Sequence, residues 1–422
     1  MMTARGAANG ICQNPYTHRA PAQERKQVVP STGSNLHIEM SRQTQQNLLF
    51  SLFITALGMM INIFNTVADR IALSLGRAAS DAGLFISIYA LGSLTSLVLS
   101  SSLADHVGKR RVIIGATTIL TAGFAIMFVS HAFLPIAIGL FLFGVGFGPA
   151  EGMASAVLSD ENPEQASKWV NIAHSGFGLG AILGPMFAIA VVQLSGSHHQ
   201  VFLYSGIIAA VFVFFISLTA KHPQITKEVK GHSPFSMFEV LKDRRMAVLA
   251  LMMFLYLGYE SVAATYTKLL FIASGESETM GAFMISLFWG SMIVARLIGA
   301  SLTGKEVISI RVFAAIAVTG ILIMVIAPVT WLRVVGVVLY GFGCGPTWPM
   351  LVVLATQLFP ERSGSAIGMM MISTMGGITV FPSLIGTLPG NLTATFLLTA
   401  TLAALVMLLS FKAGHDKKQE PA

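Results

Sequence analysis

The sequence predicts an all-α membrane protein of twelve transmembrane helices, arranged as two pseudo-symmetric halves of six helices each. Three observations predict it. Of 422 residues, 54% are hydrophobic and only 11% charged. An ordinary soluble domain carries about a quarter charged residues, so this chain cannot cover a water-facing surface and its apolar excess must face lipid. Twelve apolar stretches each approach the roughly 20 residues that a spanning helix needs. The second six also repeat the pattern of the first.

The spans fall at roughly 47–71, 80–104, 110–130, 134–159, 168–193 and 199–220. The later six fall at roughly 246–272, 279–303, 308–328, 331–358, 363–387 and 391–411. This gives a polar tail over 1–46, a six-helix bundle over 47–220, a polar central loop over 221–245, a second bundle over 246–411 and a short tail over 412–422. The first tail is rich in Gln, Pro, Ser and Arg and holds no apolar core of a secretion signal, so it is expected to be disordered. Met40 directly precedes the first span, so 1–39 can also be read as an over-extended start.

Lys and Arg orient the chain. Arg25, Lys26, Arg42, Lys109, Arg110, Arg111, Lys168, the loop residues Lys221 to Arg245, Lys305, Arg311, Arg362 and the terminal lysines all fall on one side. Only Arg70, Arg77 and Arg333 fall near helix ends on the other. The positive-inside rule then puts both termini in the cytoplasm, with the chain in a cell inner membrane as a multi-pass protein. This bias accounts for the net charge of +7 without nucleic acid. The two cysteines, Cys12 and Cys344, lie far apart and suggest neither a disulfide nor a metal site.

The repeat has one fixed offset. A shift of 197 residues takes Gly144, Gly146, Gly148 and Pro149 to Gly341, Gly343, Gly345 and Pro346, and Met153 to Met350. It also takes Pro163 and Glu164 to Pro360 and Glu361, and Gly180 and Pro185 to Gly377 and Pro382. Parallel six-helix repeats of this kind occur in transporters whose halves rock about a central site.

Between spans 2 and 3 the chain reads Ser101-Ser-Leu-Ala-Asp105-His106-Val107-Gly108-Lys109-Arg110-Arg111. This resembles the major facilitator signature G-x-x-x-D-R-x-G-R-R, with Ser101 and His106 departing from it. The resemblance implies the major facilitator fold and a gating charge relay at the cytoplasmic face through Asp105, Gly108, Lys109, Arg110 and Arg111. Arg296, near the inner end of span 8, is read as their counterpart in the second half. Asp105 at a helix C-terminus is unfavourable to its own helix dipole, so pairing across helices is expected. The plainer reading is that the cations anchor topology.

A narrower resemblance lies in Gly144-Val-Gly-Phe-Gly-Pro-Ala-Glu151, in Asn171-Ile-Ala-His174, in Tyr256-Leu-Gly-Tyr259-Glu260 and in Gly345-Pro346-Thr-Trp348-Pro349. These are similar to the fucose-permease branch of sugar:proton symporters. That resemblance implies that Glu151 carries the proton. Where the branch has a second acidic residue on helix 1, this chain has Asn65, with Asp69 one turn further out; His174 stands where the branch has Gln.

Glu151 lies roughly 17 residues into its span, near the midplane at about 1.5 Å per residue, and Glu260 lies similarly deep. Charged groups at such depth face a cavity or a partner. Glu151, Glu260 and His174 are therefore candidates for proton coupling, the alternative for each being a hydrogen bond between helices. Asn62, Asn65, Tyr89, Asn171, Tyr256, Tyr259, Trp289 and Trp348 are candidate substrate contacts, the aromatic ones being equally readable as packing.

The expected function is a secondary transporter moving a small polar solute such as a monosaccharide, together with protons, by alternating access through the lipid bilayer. A proton-coupled exporter of drugs or metabolites is the alternative, since Gly180-x-x-x-Gly184-Pro185 partly matches a glycine-rich signature of such antiporters. A receptor on this fold lacks an output domain. An enzyme is not expected, because no nucleophile–His–carboxylate set, metal cluster or phosphate-cradling loop is present. No cofactor, metal or nucleic-acid partner is expected, and the superfamily's habit favours a monomer.

Overall fold

The computed structural model describes residues 41–77, 82–219, 236–386 and 392–414, and these are almost entirely helical. The tail to residue 40, the loop basic residues Lys221, Lys227 and Lys230, and Lys417 and Lys418 lie outside the described residues. The first six helices are α1 (Arg42–Ser74), α2 (Ala82–Val107), α3 (Lys109–Val129), α4 (Phe133–Asp160), α5 (Ala166–Ser195) and α6 (His199–Thr219). After a short helical turn at Ser236–Glu239 come α7 (Arg244–Ala273), α8 (Glu278–Gly299), α9 (Glu306–Ile326), α10 (Thr330–Cys344), α11 (Thr347–Leu358), α12 (Ser363–Gly386) and α13 (Leu392–Gly414). Among the described residues, ten helices are long and apolar enough to cross a membrane, with Thr330–Leu358 taken as one. Two further apolar stretches, Leu84–Ser100 and Phe283–Gly299, are shorter.

α1 begins at Arg42, inside the stretch read as tail. Its first turns have partners that a free tail would lack: Gln46 Oε1 accepts from Arg110 and Asn47 exchanges hydrogen bonds with Asn162. The stretch expected as one helix over 331–358 is two. Its first-half counterpart, α4, runs unbroken past Pro149. The second half carries Pro346 at the matching position and also Pro349, where the first half has Gly152. Each proline removes one intrahelical donor, and two within one turn end α10 at Cys344 and restart the helix at Thr347.

The helix contacts repeat as the sequence does. α1 packs on α5, α2 on α4, and α3 on both α4 and α6. Correspondingly α7 packs on α12, α8 on α10, and α9 on both α10 and α13. The offset of 197 recurs in detail. Gly123 and Gly139 bring α3 and α4 into backbone contact, and Gly320 and Gly336 do the same for α9 and α10. Single 3₁₀ turns follow at Pro163–Gln165 and Pro360–Arg362. Between the two groups, α2 meets α12 and α5 meets α8.

Small residues set these spacings, as they do where lipid supplies no hydrophobic drive between helices. On α5, Gly176, Gly180 and Gly184 stand one above another against α1, and a side chain on Gly184 would come within 2.6 Å of Met59 O. Gly180 is pressed against Thr55 O in the same way. Gly180→Val should therefore lower the apparent Tm of the purified protein, with an overpacking cost of about 1–3 kcal/mol. Gly115→Ala, a position with nothing within 4 Å, should leave it unchanged or raise it. Equal melting of the two variants would refute the tight α1–α5 contact.

Candidate functional site

A cavity of about 690 Å³ lies between the two helix groups. Its lining comes from α1 (Asn65), α2 (Ser87, Tyr89), α4 (Phe147, Glu151), α5 (His174, Phe177), α7 (Glu260), α8 (Trp289, Arg296), α11 (Trp348) and α12 (Thr374, Thr379). The volume falls within the roughly 300–1,000 Å³ of small-molecule sites.

Glu151 is only 8% exposed and makes no hydrogen bond with its carboxylate to another described residue. Its backbone carbonyl accepts from Ser155 Oγ, which also meets His174 Nε2 at 3.0 Å. The His174 ring lies 4.1 Å from the Trp348 ring. Trp348 is fixed in turn by donating Nε1–H to Thr374 Oγ1 at 3.2 Å. Glu151 and Trp348 are themselves 197 residues apart, so matching positions of the repeat face one cavity with a carboxyl group and an indole.

Arg296 was expected beside the gate as the counterpart of the α2–α3 cations. It lines the cavity instead, 5% exposed. Pro349 has no N–H for the carbonyl four residues before it, Gly345 O. Arg296 supplies the donor through Nε at 2.9 Å, while its Nη1 donates across to His174 O in the other helix group at 2.8 Å. Cys344 O, also at the break, accepts from Tyr256 OH at 3.1 Å.

Eight expected residues thus share the cavity: Asn65, Tyr89, Glu151, His174, Glu260, Trp289, Arg296 and Trp348. Four others are placed in the packing around it. Asn62 donates to Gly58 O within α1. Asn171 is fully buried, donating to Ser167 O and pressed against Gly299. Tyr256 is tied to the helix break, and Tyr259 is fully buried, its carbonyl accepting from Tyr340 OH. Phe147, Phe177 and Thr374 were missed. The first two looked like ordinary lipid-phase residues; Thr374, a polar group deep in an apolar span, carried a readable signal.

At the end of the bundle rich in Lys and Arg, a hydrogen-bonded seal ties the two helix groups together. Asp105 accepts from Gly364 N (2.7 Å), Ser365 N (2.9 Å) and Ser365 Oγ (2.6 Å). A carboxylate unfavourable to its own helix C-terminus is here placed on the N-terminus of α12, where the dipole and free N–H groups favour an anion. Asp160, held by Lys109 at 2.9 Å, accepts from Ser363 Oγ at 2.7 Å. Ser159 and Thr356, one repeat apart, bond to each other at 2.7 Å. Arg362 pairs with Glu239, and its hydrogen bond holds that carboxylate below its ordinary range.

Arg110 binds within its own helix group, to Glu161, Gln46 and Thr219 O, tying the ends of α1, α3, α4 and α6. Arg111 is exposed, with a single bond to Val107 O. Gly108 makes the corner between α2 and α3 at φ 92° and ψ 139°, a region that only glycine enters without strain.

Comparison with known proteins agrees with this architecture. The family model described as Major Facilitator Superfamily matches residues 48–382. The chain belongs to the Major Facilitator Superfamily. It is a multi-pass membrane protein and a transporter, not an enzyme. It is similar to the gentisate transporter of Corynebacterium glutamicum, 24% identical over 92% of this chain and 91% of that one. It is also similar to multidrug resistance protein MdtM of Salmonella typhimurium, 24% identical over 78% of this chain and 82% of that one. Among solved structures, the Escherichia coli fucose:proton symporter FucP superposes with a TM-score of 0.76 at 17% identity, covering 88% of this chain and 99% of that one. This likeness shows the fold.

Asp105→Ala should loosen the seal, since charge-assisted hydrogen bonds contribute about 1.5–3 kcal/mol. With Cys12→Ser and Cys344→Ala as background, a cysteine at Ser159 should react roughly tenfold or more faster with a membrane-impermeant thiol reagent once Asp105 is removed. An unchanged rate would show that the α2–α12 bonds do not hold this end shut.

Proposed function

We propose that this transporter carries a small polar solute across the inner membrane by proton-coupled alternating access, with Glu151 as its proton site. The carrying observation is Glu151 itself: a nearly buried carboxyl group, without a hydrogen-bond partner among the described residues, opening into the central cavity. An ionised carboxylate in such a place is costly unless a cation or proton meets it. Proton loading of Glu151 relieves that cost and makes a passage of the cavity through the membrane centre possible.

The helix break favours the proton over sodium. Unwound carbonyls of broken helices are where such transporters hold sodium. Here Gly345 O and Cys344 O already accept from Arg296 and Tyr256. His174, bonded to Ser155 and packed on Trp348, sits beside Glu151 as a positioning group, and Glu260 is a second carboxyl in the same cavity.

In this reading the ten long helices and two shorter ones make twelve crossings in two halves, and the basic end is cytoplasmic by the positive-inside rule. The seal of Asp105, Lys109 and Asp160 against α12 is then the cytoplasmic gate, closed while the cavity faces outward. Gly108 and Arg110 hold the gate's first-half frame. The chain works as a monomer, each carrying its own cavity. A monosaccharide is the solute that likeness to the fucose:proton symporter suggests.

Export is the second reading, favoured by the largely apolar lining around Phe147, Phe177, Trp289 and Trp348 and by the likeness to MdtM. The same Glu151 would then exchange protons against an outgoing compound.

Proteoliposomes loaded with the pH dye pyranine test the proposal. Adding a transported solute outside should acidify the lumen, and Glu151→Gln should abolish that signal while solute binding persists. Undiminished proton movement in Glu151→Gln would sink the assignment. Resistance of expressing cells to several toxic compounds, with no solute-driven acidification, would select export.

A further inference from the structure

We infer that the cavity is built for a small organic acid, its carboxylate received by Arg296 and its ring or other flat body by the surrounding aromatic side chains. This rests on the proton-coupled reading above and sets an acid, sugar acids included, in place of the neutral monosaccharide that the likeness in fold suggests.

Arg296 is the one cationic side chain among the described residues lining the cavity. Its two hydrogen bonds go to backbone carbonyls, one through Nε and one through Nη1. A guanidinium carries five N–H donors, so one on Nη1 and both on Nη2 are left over. Glu151 and Glu260 attract it across the cavity, but no carboxylate of the described residues makes a direct salt bridge with it. Those remaining hydrogens lie on the two nitrogens that grip a carboxylate in the bidentate, charge-assisted manner. The two backbone bonds meanwhile hold the guanidinium plane in place, so little ordering is required when the ligand arrives.

The rest of the lining fits the same ligand. The Trp348 indole, locked by Thr374, packs on His174, with Tyr89, Phe147 and Trp289 lining the same cavity. Such faces receive a flat or ring-shaped body.

The two carboxyl groups make the acid's entry conditional. With Glu151 and Glu260 both ionised and His174 neutral, the cavity carries one net negative charge and repels an anion. One bound proton brings it to neutrality, and a second leaves Arg296 in excess. The acid and the proton therefore bind cooperatively, which couples their movement without any further device.

The test is binding by the purified full-length protein in detergent, followed by Trp fluorescence. The probes are benzoate, hydroxybenzoates and hexuronates, each beside its methyl ester, with neutral hexoses as a third set. The expected result is that the acids bind about ten- to hundredfold more tightly than their esters, that this preference shrinks as pH rises, and that Arg296→Gln erases it. Because Arg296 also serves two carbonyls, Arg296→Gln can fail to fold; the acid-to-ester ratio on the unaltered protein then decides alone. Esters or hexoses binding as tightly as the acids, or no acid binding at any pH, would overturn the inference. Acid binding without proton movement in proteoliposomes supports the Arg296 assignment and refutes the coupling proposal. Proton movement driven by a neutral hexose does the reverse.

Discussion

A backbone carbonyl shut away from water needs a donor, and in this chain Pro349 removes the one that Gly345 would have had. The central site depends on how that vacancy is filled. Arg296 reaches it from α8 and, with a second nitrogen, reaches His174 O on α5. A cation is thereby held inside the cavity by neutral acceptors, close enough to Glu151 and Glu260 to attract both without a direct ion pair to either. Had a carboxylate filled the same role, the site would hold a quiet ion pair. Because carbonyls do it, Arg296, Glu151 and Glu260 remain a set of charges whose balance shifts with each proton.

The opposite problem is solved at the basic end. Asp105 carries a full charge at a helix terminus that repels it, and α12 offers free N–H groups that need an acceptor. Joining them satisfies both, and it can only happen when α2 and α12 are in contact. The bond between Ser159 and Thr356 adds a pseudo-symmetric stitch between the two helix groups. Closure at this end is thus made of short polar contacts between the helix groups. Each can be exchanged for water if the groups part, which suits the gate of the proposed alternating access.

The fold was legible in the sequence because its two signals are redundant. Apolar length gave the helices, and a constant offset from Gly144 to Pro382 gave their pairing. The same offset, carried into the structure, relates Gly123 and Gly139 to Gly320 and Gly336. The break at Gly345–Pro346 is not legible from apolar length, because 331–358 reads as one apolar stretch and the matching Pro149 leaves α4 unbroken. Site residues were legible where a charge stood at mid-span, as with Glu151 and Glu260. They were illegible where helical phase decides. Asn65 lines the cavity and Asn62 does not, though one turn of α1 separates them; likewise His174 and Asn171 on α5. Depth from sequence put Arg296 near a helix end and hence near the gate, but its long side chain reaches back to the break.

The repeat also explains why the two halves do different chemistry on one scaffold. Position 151 in the first half and position 348 in the second occupy equivalent places, and one is an acid while the other is an indole. Position 152 is glycine and its equivalent, 349, is proline. That second exchange breaks the helix, exposes Gly345 O and so recruits Arg296 from the neighbouring α8. The first half keeps a continuous α4 that presents a titratable carboxyl group; the second half is bent to present an aromatic face and a captured cation. A solute that touches both Arg296 and Trp348 on one side and the region of Glu151 on the other bridges the halves. Under the proposed alternating access its binding energy is spent across the very surface along which the halves would move, so a proton on Glu151 and the occupancy of the cavity would bear on the same step.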